Sequence, residues 1–348
     1  MNSVYYLTGA AGWLGSTVLD KLLAQGKIVR ALVLPGYPLA KELPDAAQIV
    51  EGDVRSREDM DCFLEAGEQR DRVVIHCAAI ISMSMTPVPK VHDVNVNGTR
   101  TMVEASLSAG VSRFVYISSV HALPERPHGE VVVEGTLFTP EQQVGAYAKS
   151  KAEATQIVFD AQREQGLPAV VLYPSGICGP GDIAGGHLSQ LFIDYFHDRL
   201  PAGVAGGYSF SDVRDVADAV IAALDKGRVG EGYIVASHYV SVADILRMLH
   251  EQSGHRRIRC MLPLWLVRLM LPFITLYYKI KKQPAVFSTY ALYTLSSNGA
   301  FSHEKAAREL GFTPRPFEDT VRELGFTPRP FEDTVRDMIA WLRQEGKI

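Results

Sequence analysis

The chain has 348 residues, of which 47% are hydrophobic and 21% are charged, a composition typical of globular proteins and unlike that of disordered or fibrous ones. The formal net charge of −4 gives no electrostatic basis for binding nucleic acid, and that class of partner is excluded. The scattered cysteines Cys62, Cys77, Cys178 and Cys260 lack paired or metal-ligand spacing, which predicts a reducing compartment, no disulfide framework and no metal site.

The first half of the chain alternates short apolar runs with helical patterns. The predicted strands are residues 4–8, 28–34, 48–51, 72–77 and 113–118, and helices are predicted to begin near Leu14, over 56–66 and over 88–109. Strands that are apolar on both faces and separated by helices indicate an α/β fold with a parallel sheet and right-handed crossovers. Because no basic and apolar leader precedes the first strand, we expect no secretory signal and a cytoplasmic protein.

A glycine-rich turn joins the first strand to the first helix. Glycines in such a turn let backbone N–H groups approach a diphosphate, and the helix N-terminus adds a favourable partial charge. The predicted dinucleotide contacts are Gly9, Gly12, Trp13, Leu14 and Gly15. The alternative is an ordinary turn between a strand and a helix, but its place at the first strand favours a Rossmann-type doubly wound sheet.

The second strand does not distinguish NAD from NADP. An acidic residue there would bind the ribose 2′-hydroxyl of NAD, and the segment 31–36 has none. No arginine stands at the strand end to meet the 2′-phosphate of NADP, although Arg30 and Lys41 are within reach. Both dinucleotides therefore remain open.

Two later segments are predicted to approach the cofactor. Asp53, with Val54, follows the third strand, where its carboxylate could accept a hydrogen bond from the adenine amine; the alternative is a helix N-cap. Cys77, Ala78 and Ala79 end the fourth strand with small side chains. The preceding His76 is interpreted as a packed strand residue rather than a metal ligand or a base.

Tyr147 and Lys151 are the candidate catalytic pair. Residues four positions apart share one face of a helix, and an ammonium group beside a phenol favours the phenolate and lowers its pKa. Such a tyrosine can exchange a proton with a substrate oxygen, and Ser119 could hydrogen-bond the same oxygen. The same spacing occurs at residues 37/41, 277/281 and 278/282, but only Tyr147 follows a strand ending in two serines and opens a helical pattern.

The second half is predicted to be a smaller lobe interleaved with the end of the sheet. A strand at 169–173 is closed by Pro174, the stretch 175–210 is rich in glycine, and helices at 212–225 and 242–250 flank a strand at 233–236. We therefore divide the chain into a dinucleotide-binding domain, residues 1–174, and a substrate-binding lobe, residues 175–348.

Residues 258–280 are unusually apolar, are flanked by basic residues and are interrupted by Pro263, Arg268 and Pro272. We interpret them as a buried helix pair, a peripheral membrane contact or a wall of an apolar substrate pocket.

Residues 308–321 recur without change at 322–335. Two copies are too few for a solenoid, so we expect one copy to form the native turn and the other to be an inserted, poorly packed loop.

Taken together and in order, the motifs resemble one family, the extended short-chain dehydrogenases/reductases. They are Thr-Gly-x-x-Gly-x-x-Gly at 8–15, Gly-Asp-Val at 52–54, Cys-Ala-Ala at 77–79, Asn-Val-Asn-Gly-Thr at 95–99, Ser-Ser at 118–119 and Tyr-x-x-x-Lys at 147–151. The resemblance covers nearly the whole chain.

The resemblance implies a role for each matching residue. Tyr147 would be the general acid/base, and Lys151 would lower its pKa and bind the nicotinamide ribose. Ser119 would orient the substrate oxygen, with Ser118 as the alternative, and Asn95 would support the site. The segment 173–177 is similar to the family's loop beside the nicotinamide amide, which implies cofactor contacts from Pro174 and Ile177. A homodimer that uses NAD or NADP is also implied.

The C-terminal half is similar to the branch that holds 3β-hydroxysteroid dehydrogenases and dihydroflavonol-4-reductase-like proteins. Two departures are the missing acid after the second strand and the second copy of 308–321. The leading hypothesis is an NAD(P)-dependent oxidoreductase acting on a secondary alcohol or ketone of a bulky, mostly apolar molecule. The alternatives are a nucleotide-sugar epimerase or dehydratase with tightly bound NAD, and a dinucleotide-binding module without activity.

Overall fold

The computed structural model of the protein describes residues 3–65, 71–182, 186–237, 239–281 and 289–323, without the side chains at 187 and 273–281. The later residues of the second repeat copy, 324–335, lie outside the described residues.

Seven of the strands fall close to the predicted apolar runs, whereas those at 176–178, 203–204, 207–212, 239–241 and 261–262 were not predicted. The strands of the described residues follow in chain order. They are β1 (Val4–Thr8), β2 (Ile28–Val33), β3 (Gln48–Glu51), β4 (Arg72–His76), β5 (Arg113–Ile117), β6 (Ala169–Pro174), β7 (Gly176–Cys178), β8 (Gly203–Val204), β9 (Gly207–Asp212), β10 (Gly232–Val235), β11 (Tyr239–Ser241) and β12 (Met261–Leu262).

Helices connect most of the strands. They are α1 (Trp13–Ala24), α2 (Arg57–Leu64), α3 (Pro89–His92), α4 (Gly98–Ala109), α5 (Ala146–Gln165), α6 (His187–Phe196), α7 (Val213–Asp225), α8 (Val242–Ser253), α9 (Leu264–Lys281), α10 (Thr289–Ser296), α11 (Glu304–Leu310) and α12 (Phe317–Glu323). A π-helical segment, Asp93–Asn97, joins α3 to α4, and short 3-10 turns occupy Pro38–Glu42, Val120–Ala122 and Pro140–Gln142.

Seven parallel strands form the central sheet in the order β10-β6-β5-β4-β1-β2-β3. The chain winds outward from β1 in one direction and then from β4 in the other, which confirms the predicted doubly wound α/β fold. The strand order reverses between β1 and β4, and ligands of open α/β sheets bind at the carboxyl ends of the strands beside such a switch point.

Two apolar layers cover the sheet. On one face the core includes Met60, Met102 and Val158, from α2, α4 and α5. On the other face it includes Val18 and Val220, from α1 and α7. Burial on both faces explains why the strand sequences read as continuous apolar runs rather than alternating ones.

The second half contributes both to the sheet and to a separate small lobe. Strand β10 pairs with β6 at the sheet edge, while β7, β9 and β11 form a three-stranded sheet and β8 pairs with β12. A third apolar cluster holds the small lobe together and includes Phe192 of α6, Leu246 of α8 and Phe317 of α12. The domain boundary at residue 174 stays a prediction.

The apolar segment 258–280 differs from the predicted buried helix pair. A single helix, α9, runs from Leu264 to Lys281 with Pro272 inside it. Only Val267 among its described side chains is fully buried, whereas Trp265 and Leu269 are each 67% exposed. Among the residues that the structure describes, no helix is both long and apolar enough to cross a bilayer.

Candidate active site

The predicted site residues lie at the carboxyl edge of the central strands. The glycine turn follows β1, Cys77 follows β4, Ser119 lies two residues beyond β5, and Pro174 ends β6. Since β1, β4, β5 and β6 are neighbours in the sheet, segments far apart in sequence meet beside the switch point.

Two positions of the glycine turn accept only a residue without a side chain. Gly9 has φ +70°, and a Cβ there would lie 2.8 Å from the Ala78 nitrogen. A Cβ on Gly15 would lie 2.0 Å from the Gly9 carbonyl oxygen. Gly12 precedes α1 with extended backbone, no side chain caps this helix, and its first turn holds no acid. An uncapped, positively polarised helix start with an open backbone fits a diphosphate.

The side chains of Trp13 and Leu14 have structural partners, so their expected cofactor contacts would come from backbone N–H groups. The Trp13 indole donates a hydrogen bond of 2.8 Å to the Pro180 carbonyl, which holds the loop after β7 against the turn. Leu14 packs on the core between α1 and the sheet.

Asp53 does not cap α2. The N-cap is Ser56, whose hydroxyl accepts from the Asp59 amide at 3.1 Å, so that alternative was wrong. The Asp53 carboxylate instead accepts from Arg55 at 2.6 Å, and this hydrogen bond holds its pKa below the usual range. Val54 is buried against Gly98, where a Cβ would lie 2.8 Å from Val54 Cγ2. A contact with adenine stays a prediction for both residues.

The two cationic side chains near the second strand differ in their contacts: Arg30 has partners within the fold, and Lys41 lies in an exposed turn. Arg30 points along β2 rather than beyond its end, since its guanidinium donates to the Glu65 carbonyl and lies 5.8 Å from the Tyr6 ring centre. Lys41 sits in the exposed 3-10 turn Pro38–Glu42.

Cys77, Ala78 and Ala79 form the half-buried floor of the turn. The Cys77 amide donates to the Thr8 carbonyl at 3.3 Å, and the Ala78 amide donates to the Thr8 hydroxyl at 3.2 Å. Burial raises the pKa of the Cys77 thiol to about 12. This cysteine is therefore a neutral packing residue and not a nucleophile.

Tyr147 lies in the first turn of α5, which begins immediately after Gly145. Gly145 has φ +91°, and a Cβ there would lie 2.4 Å from the Tyr290 ring. The Ala146 amide donates to the Ser84 carbonyl at 2.9 Å, and the Ser150 hydroxyl donates to the Tyr147 carbonyl at 2.8 Å. The start of the helix, and with it the phenol, is held in one position.

The pKa of Tyr147 moves opposite to the expected direction. Burial raises it to about 12, against the Ser119 hydroxyl, which lowers it. The Lys151 ammonium donates to the Ile117 carbonyl at 2.6 Å and lies 4.9 Å from the Tyr116 ring centre. Burial also lowers the pKa of Lys151 to about 7. The lysine is thus hydrogen-bonded to the sheet and only partly charged at neutral pH. The effect of desolvation on the pKa of the phenol is therefore larger than any lowering by this lysine.

The two serines after β5 have different surroundings. The Thr155 hydroxyl donates its proton to the Lys151 carbonyl, so Ser118 must be the donor in its 2.6 Å bond with Thr155. Ser119 accepts from the His121 amide at 3.3 Å, and its own hydrogen bond to the Tyr147 phenol lowers the pKa of that phenol. This geometry favours Ser119 over Ser118 as a partner for a substrate oxygen.

Asn95 lies in the π-helical segment, and its polar atoms contact neighbouring chain segments rather than the phenol. Its amide oxygen accepts from the Ile80 amide at 2.7 Å, and its amide nitrogen donates to the Ile80 carbonyl and to the Ser150 hydroxyl, both at 2.9 Å. Its position is that of a supporting residue. π-Helical segments are frequent at functional sites.

Pro174 and Ile177 lie on the other side of the crevice. Pro174 is buried at the end of β6, and Ile177 is half-buried in β7. Their expected contact with the nicotinamide amide stays a prediction.

An aromatic cluster around Tyr147 was not found from the sequence. The His121 ring meets Tyr147 edge-on with centres 6.3 Å apart, and it stacks on Tyr208 at 5.5 Å. The Tyr208 hydroxyl and His121 Nε2 are 3.0 Å apart, and Tyr290 lies 6.0 Å away. His121 follows Ser119 by two positions, which was the only local signal; Tyr208 and Tyr290 are distant in sequence.

A small cavity of about 40 Å³ lies beside this cluster. Apolar Val120, Leu123 and Phe301 line it together with Glu125, Gln143 and Asn298. Ligand pockets usually measure about 300–1,000 Å³, so a bulky molecule requires its walls to move apart.

A larger open groove of about 850 Å³ lies along α3 and the start of α5 and includes Arg55 and Lys149. It contains neither Tyr147 nor Ser119 and is not the candidate site. Within the described part of the chain, no group of three His, Cys, Asp or Glu residues could hold a metal ion.

Comparison with known proteins gives a consistent result. Residues 5–236 match the family model described as "NAD dependent epimerase/dehydratase family". The sterol demethylase protein B of Methylococcus capsulatus is 30% identical over 98% of this chain and 99% of its own length. A putative dihydroflavonol 4-reductase of Synechocystis is 31% identical over 76% of this chain and 77% of its own. The crystal structure of gox2253 aligns over all of both chains with a TM-score of 0.78 and 29% identity.

Proposed function

The chain belongs to the NAD dependent epimerase/dehydratase family, and from that premise we propose a reaction and a substrate class. The reaction interconverts a secondary alcohol and a ketone, with Tyr147 as general acid/base. The substrate is bulky and mostly apolar, similar to a steroid or a flavonoid. The observation that carries the proposal is that Tyr147, Ser119 and Lys151 lie together at the strand edge that also holds the glycine turn.

The dinucleotide would be held by backbone groups of the turn and by Lys151. The residues Gly9, Gly12 and Gly15 leave room for the diphosphate, and the Lys151 ammonium has further N–H donors for the ribose besides the one that it gives to the Ile117 carbonyl. When bound, the nicotinamide supplies or accepts the hydride. The protein positions the reactants and handles the proton.

The proton is handled by Tyr147 and Ser119. Because burial raises the pKa of Tyr147 to about 12, the phenol keeps its proton at neutral pH and can donate it to the oxygen of a ketone. Ser119 lies beside the phenol, and its hydroxyl can donate a second hydrogen bond to the same oxygen when a ketone replaces the phenol oxygen as its acceptor. The same groups serve the reverse reaction, in which the phenolate takes the proton from an alcohol.

NAD is the proposed dinucleotide. Arg30, the cation on β2, is committed to the Glu65 carbonyl and the Tyr6 ring, and Leu34 rather than a cation follows the strand. Fluorescence titration should give tighter binding of NADH than of NADPH. A clear preference for NADPH would contradict this choice and would direct attention to Lys41.

The apolar substrate is supported by the site and by the named relatives. Three arginines of the second half of the chain could in principle hold a sugar-linked diphosphate, but each is paired with a carboxylate: Arg199 with Asp194, Arg214 with Asp212 and Arg228 with Glu309. A nucleotide-sugar epimerase would need such cations free. Two relatives are named for a sterol and a dihydroflavonol. A panel of steroid and flavonoid ketones against nucleotide sugars tests this class, and turnover of the sugars alone would overturn it.

Peripheral membrane contact through α9 is a further part of the proposal. Trp265 and Leu269 lie on one side of the helix, each 67% exposed, with Arg268 beside them. An exposed aromatic and aliphatic pair next to a cation suits the interface of an anionic bilayer. In flotation with phosphatidylserine vesicles we expect wild-type protein to bind and a Trp265→Ser, Leu269→Ser variant to remain unbound. Equal flotation of the two proteins would refute the membrane contact.

The homodimer expected from the sequence is a separate part of the proposal, and light scattering tests it.

A further inference from the structure

A buried chain of hydrogen bonds runs from the glycine turn to the start of α5. Its members are Thr8, His76, Thr99, Asn95 and Ser150, and each is at most 2% exposed. Thr8 ends β1 and His76 ends β4, whereas Thr99 and Asn95 belong to the helical stretch before β5 and Ser150 belongs to α5. The proposed catalytic roles make no use of His76.

The direction of every proton in this chain follows from its partners. The Ala78 amide donates to the Thr8 hydroxyl at 3.2 Å, and the Thr8 oxygen lies 2.7 Å from His76 Nδ1. At the other side of the ring, His76 Nε2 lies 3.1 Å from the Thr99 hydroxyl.

The Thr99 proton is already used, because its hydroxyl donates to the Asn95 carbonyl at 2.7 Å. Thr99 must therefore accept at its contact with His76, which places a hydrogen on Nε2. Nδ1 is then an acceptor, and the Thr8 hydroxyl donates to it. Complete burial holds the pKa of His76 down at about 3, in agreement with a neutral ring.

The chain continues to the residue that carries the candidate phenol. The Asn95 amide donates to the Ser150 hydroxyl at 2.9 Å, and Ser150 donates to the Tyr147 carbonyl at 2.8 Å. At the opposite end, Thr8 immediately precedes Gly9, whose backbone packs against Ala78. A single connected set of buried hydrogen bonds thus joins the dinucleotide turn to the backbone of Tyr147.

We propose that His76 is a positioning residue, fixed as the neutral Nε2–H tautomer, that couples the geometry of the glycine turn to that of the first turn of α5. Imidazole suits this task because its two nitrogens face opposite directions and one donates while the other accepts. The coupling part of this inference rests on the proposed function, whereas the tautomer does not.

A double-mutant cycle tests the coupling. Thr8→Val removes the link at the turn and Ser150→Ala removes it at the helix, and the two sites share no direct hydrogen bond. The readouts are the dissociation constant of NADH and the rate constant for ketone reduction, with thermal unfolding as the check on folding. We expect each single variant to weaken NADH binding by about fivefold to tenfold. The loss of affinity in the double variant should be at least about threefold smaller than the product of the two single losses.

The same cycle in a His76→Phe background is the matched control, since an aromatic ring, somewhat larger than imidazole, remains and both nitrogens are lost. In that background the loss of NADH affinity in the double variant should equal the product of the two single losses. The same result with His76 present would overturn the coupling.

A spectroscopic measurement keeps the inference testable even where a variant fails to fold. In wild-type protein labelled with ¹⁵N-histidine, His76 should show one protonated nitrogen, Nε2, and a non-protonated Nδ1. An Nδ1–H tautomer or a charged ring would overturn the proposal. Failure of wild-type protein to bind NADH or NADPH would instead reject the proposed function, and the tautomer would then decide this inference by itself.

Discussion

The two serines after β5 show how one hydroxyl can be structural and its neighbour free to react. Ser118 is 3% exposed and donates to Thr155, whereas Ser119 is 6% exposed and hydrogen-bonds the Tyr147 phenol. We expect Ser119→Ala to lower the turnover rate by about tenfold to a hundredfold with little change in stability.

Ser118→Ala is the matched control for that prediction. It should leave the chemical step nearly unchanged and lower the free energy of unfolding by about 1 kcal/mol, because it removes a buried hydrogen bond. Turnover and urea unfolding of the two variants check both effects. A greater loss of turnover in Ser118→Ala would reverse the assignment.

Lys151 should make stability depend on pH near neutrality. Its pKa is lowered to about 7 in the folded protein from its usual value of 10.5, so between these values the unfolded chain binds more protons than the folded one. The free energy of unfolding contributed by this group therefore rises as pH increases from about 7, by up to about 1.4 kcal/mol per pH unit.

Urea unfolding at pH 7 and at pH 8.5 measures this slope. Lys151→Met should flatten it. Lys149→Met, which removes an exposed lysine from the same helix, should not. A slope that survives in Lys151→Met would show that another group is responsible.

At the scale of elements, the sequence predicted the sheet better than the site. Strand β1 begins and ends where its apolar run does, because a strand buried on both faces leaves an unbroken apolar signal. Strand β3 also has its predicted bounds, although it is a largely exposed edge strand with polar residues at both ends. The elements within 175–210 were not predicted, since β7 and β8 have three and two residues and owe their pairing to distant segments.

The pKa of Tyr147 was predicted in the wrong direction for a related reason. The spacing of Tyr147 and Lys151 is local information, but the Ile117 carbonyl that engages the lysine comes from another strand. The aromatic cluster beside the phenol is likewise non-local, since Tyr208 and Tyr290 approach His121 only in the folded chain.

The glycine turn allows a prediction that separates crowding from a general effect of alanine. Gly15→Ala places a Cβ 2.0 Å from the Gly9 carbonyl oxygen, whereas a Cβ on Gly135 meets nothing within 4 Å. We expect Gly15→Ala to weaken NADH binding more than about tenfold and to destabilise the fold by about 1–3 kcal/mol. Gly135→Ala should change neither quantity. Wild-type affinity in Gly15→Ala would exclude the turn as the diphosphate site.

At the scale of the whole molecule, the first copy of the repeated segment, residues 308–321, packs against both the central sheet and the small lobe. Phe312 packs with α11 against the sheet, Phe317 packs in the small lobe, and the Arg315 guanidinium donates to Asp215 of α7 at 2.8 Å. The first copy thus connects the apolar layer that contains α1 and α7 to the small lobe. Its identity with 322–335 could be read from the sequence, but which copy makes these contacts could not.

A matched pair of substitutions distinguishes the two copies. Phe317→Ala should lower the free energy of unfolding by about 3 kcal/mol, because it leaves a cavity in the small lobe. The equivalent change in the second copy, Phe331→Ala, should have less than about 0.5 kcal/mol of effect. Urea unfolding measures both, and an equal or greater loss for Phe331→Ala would show that the second copy is also packed.

Tyr147 is proposed to give the proton that accompanies hydride transfer from the dinucleotide to the ketone, and transfer of deuterium from 4-deuterated NADH to a ketone is the decisive measurement. With an apolar steroid or flavonoid ketone, wild-type protein and a Tyr37→Phe control with the same Tyr-x-x-x-Lys spacing should place deuterium on the carbinol carbon. Tyr147→Phe should reduce that rate by about a hundredfold or more while NADH affinity is unchanged. Transfer by Tyr147→Phe at the wild-type rate would contradict the account.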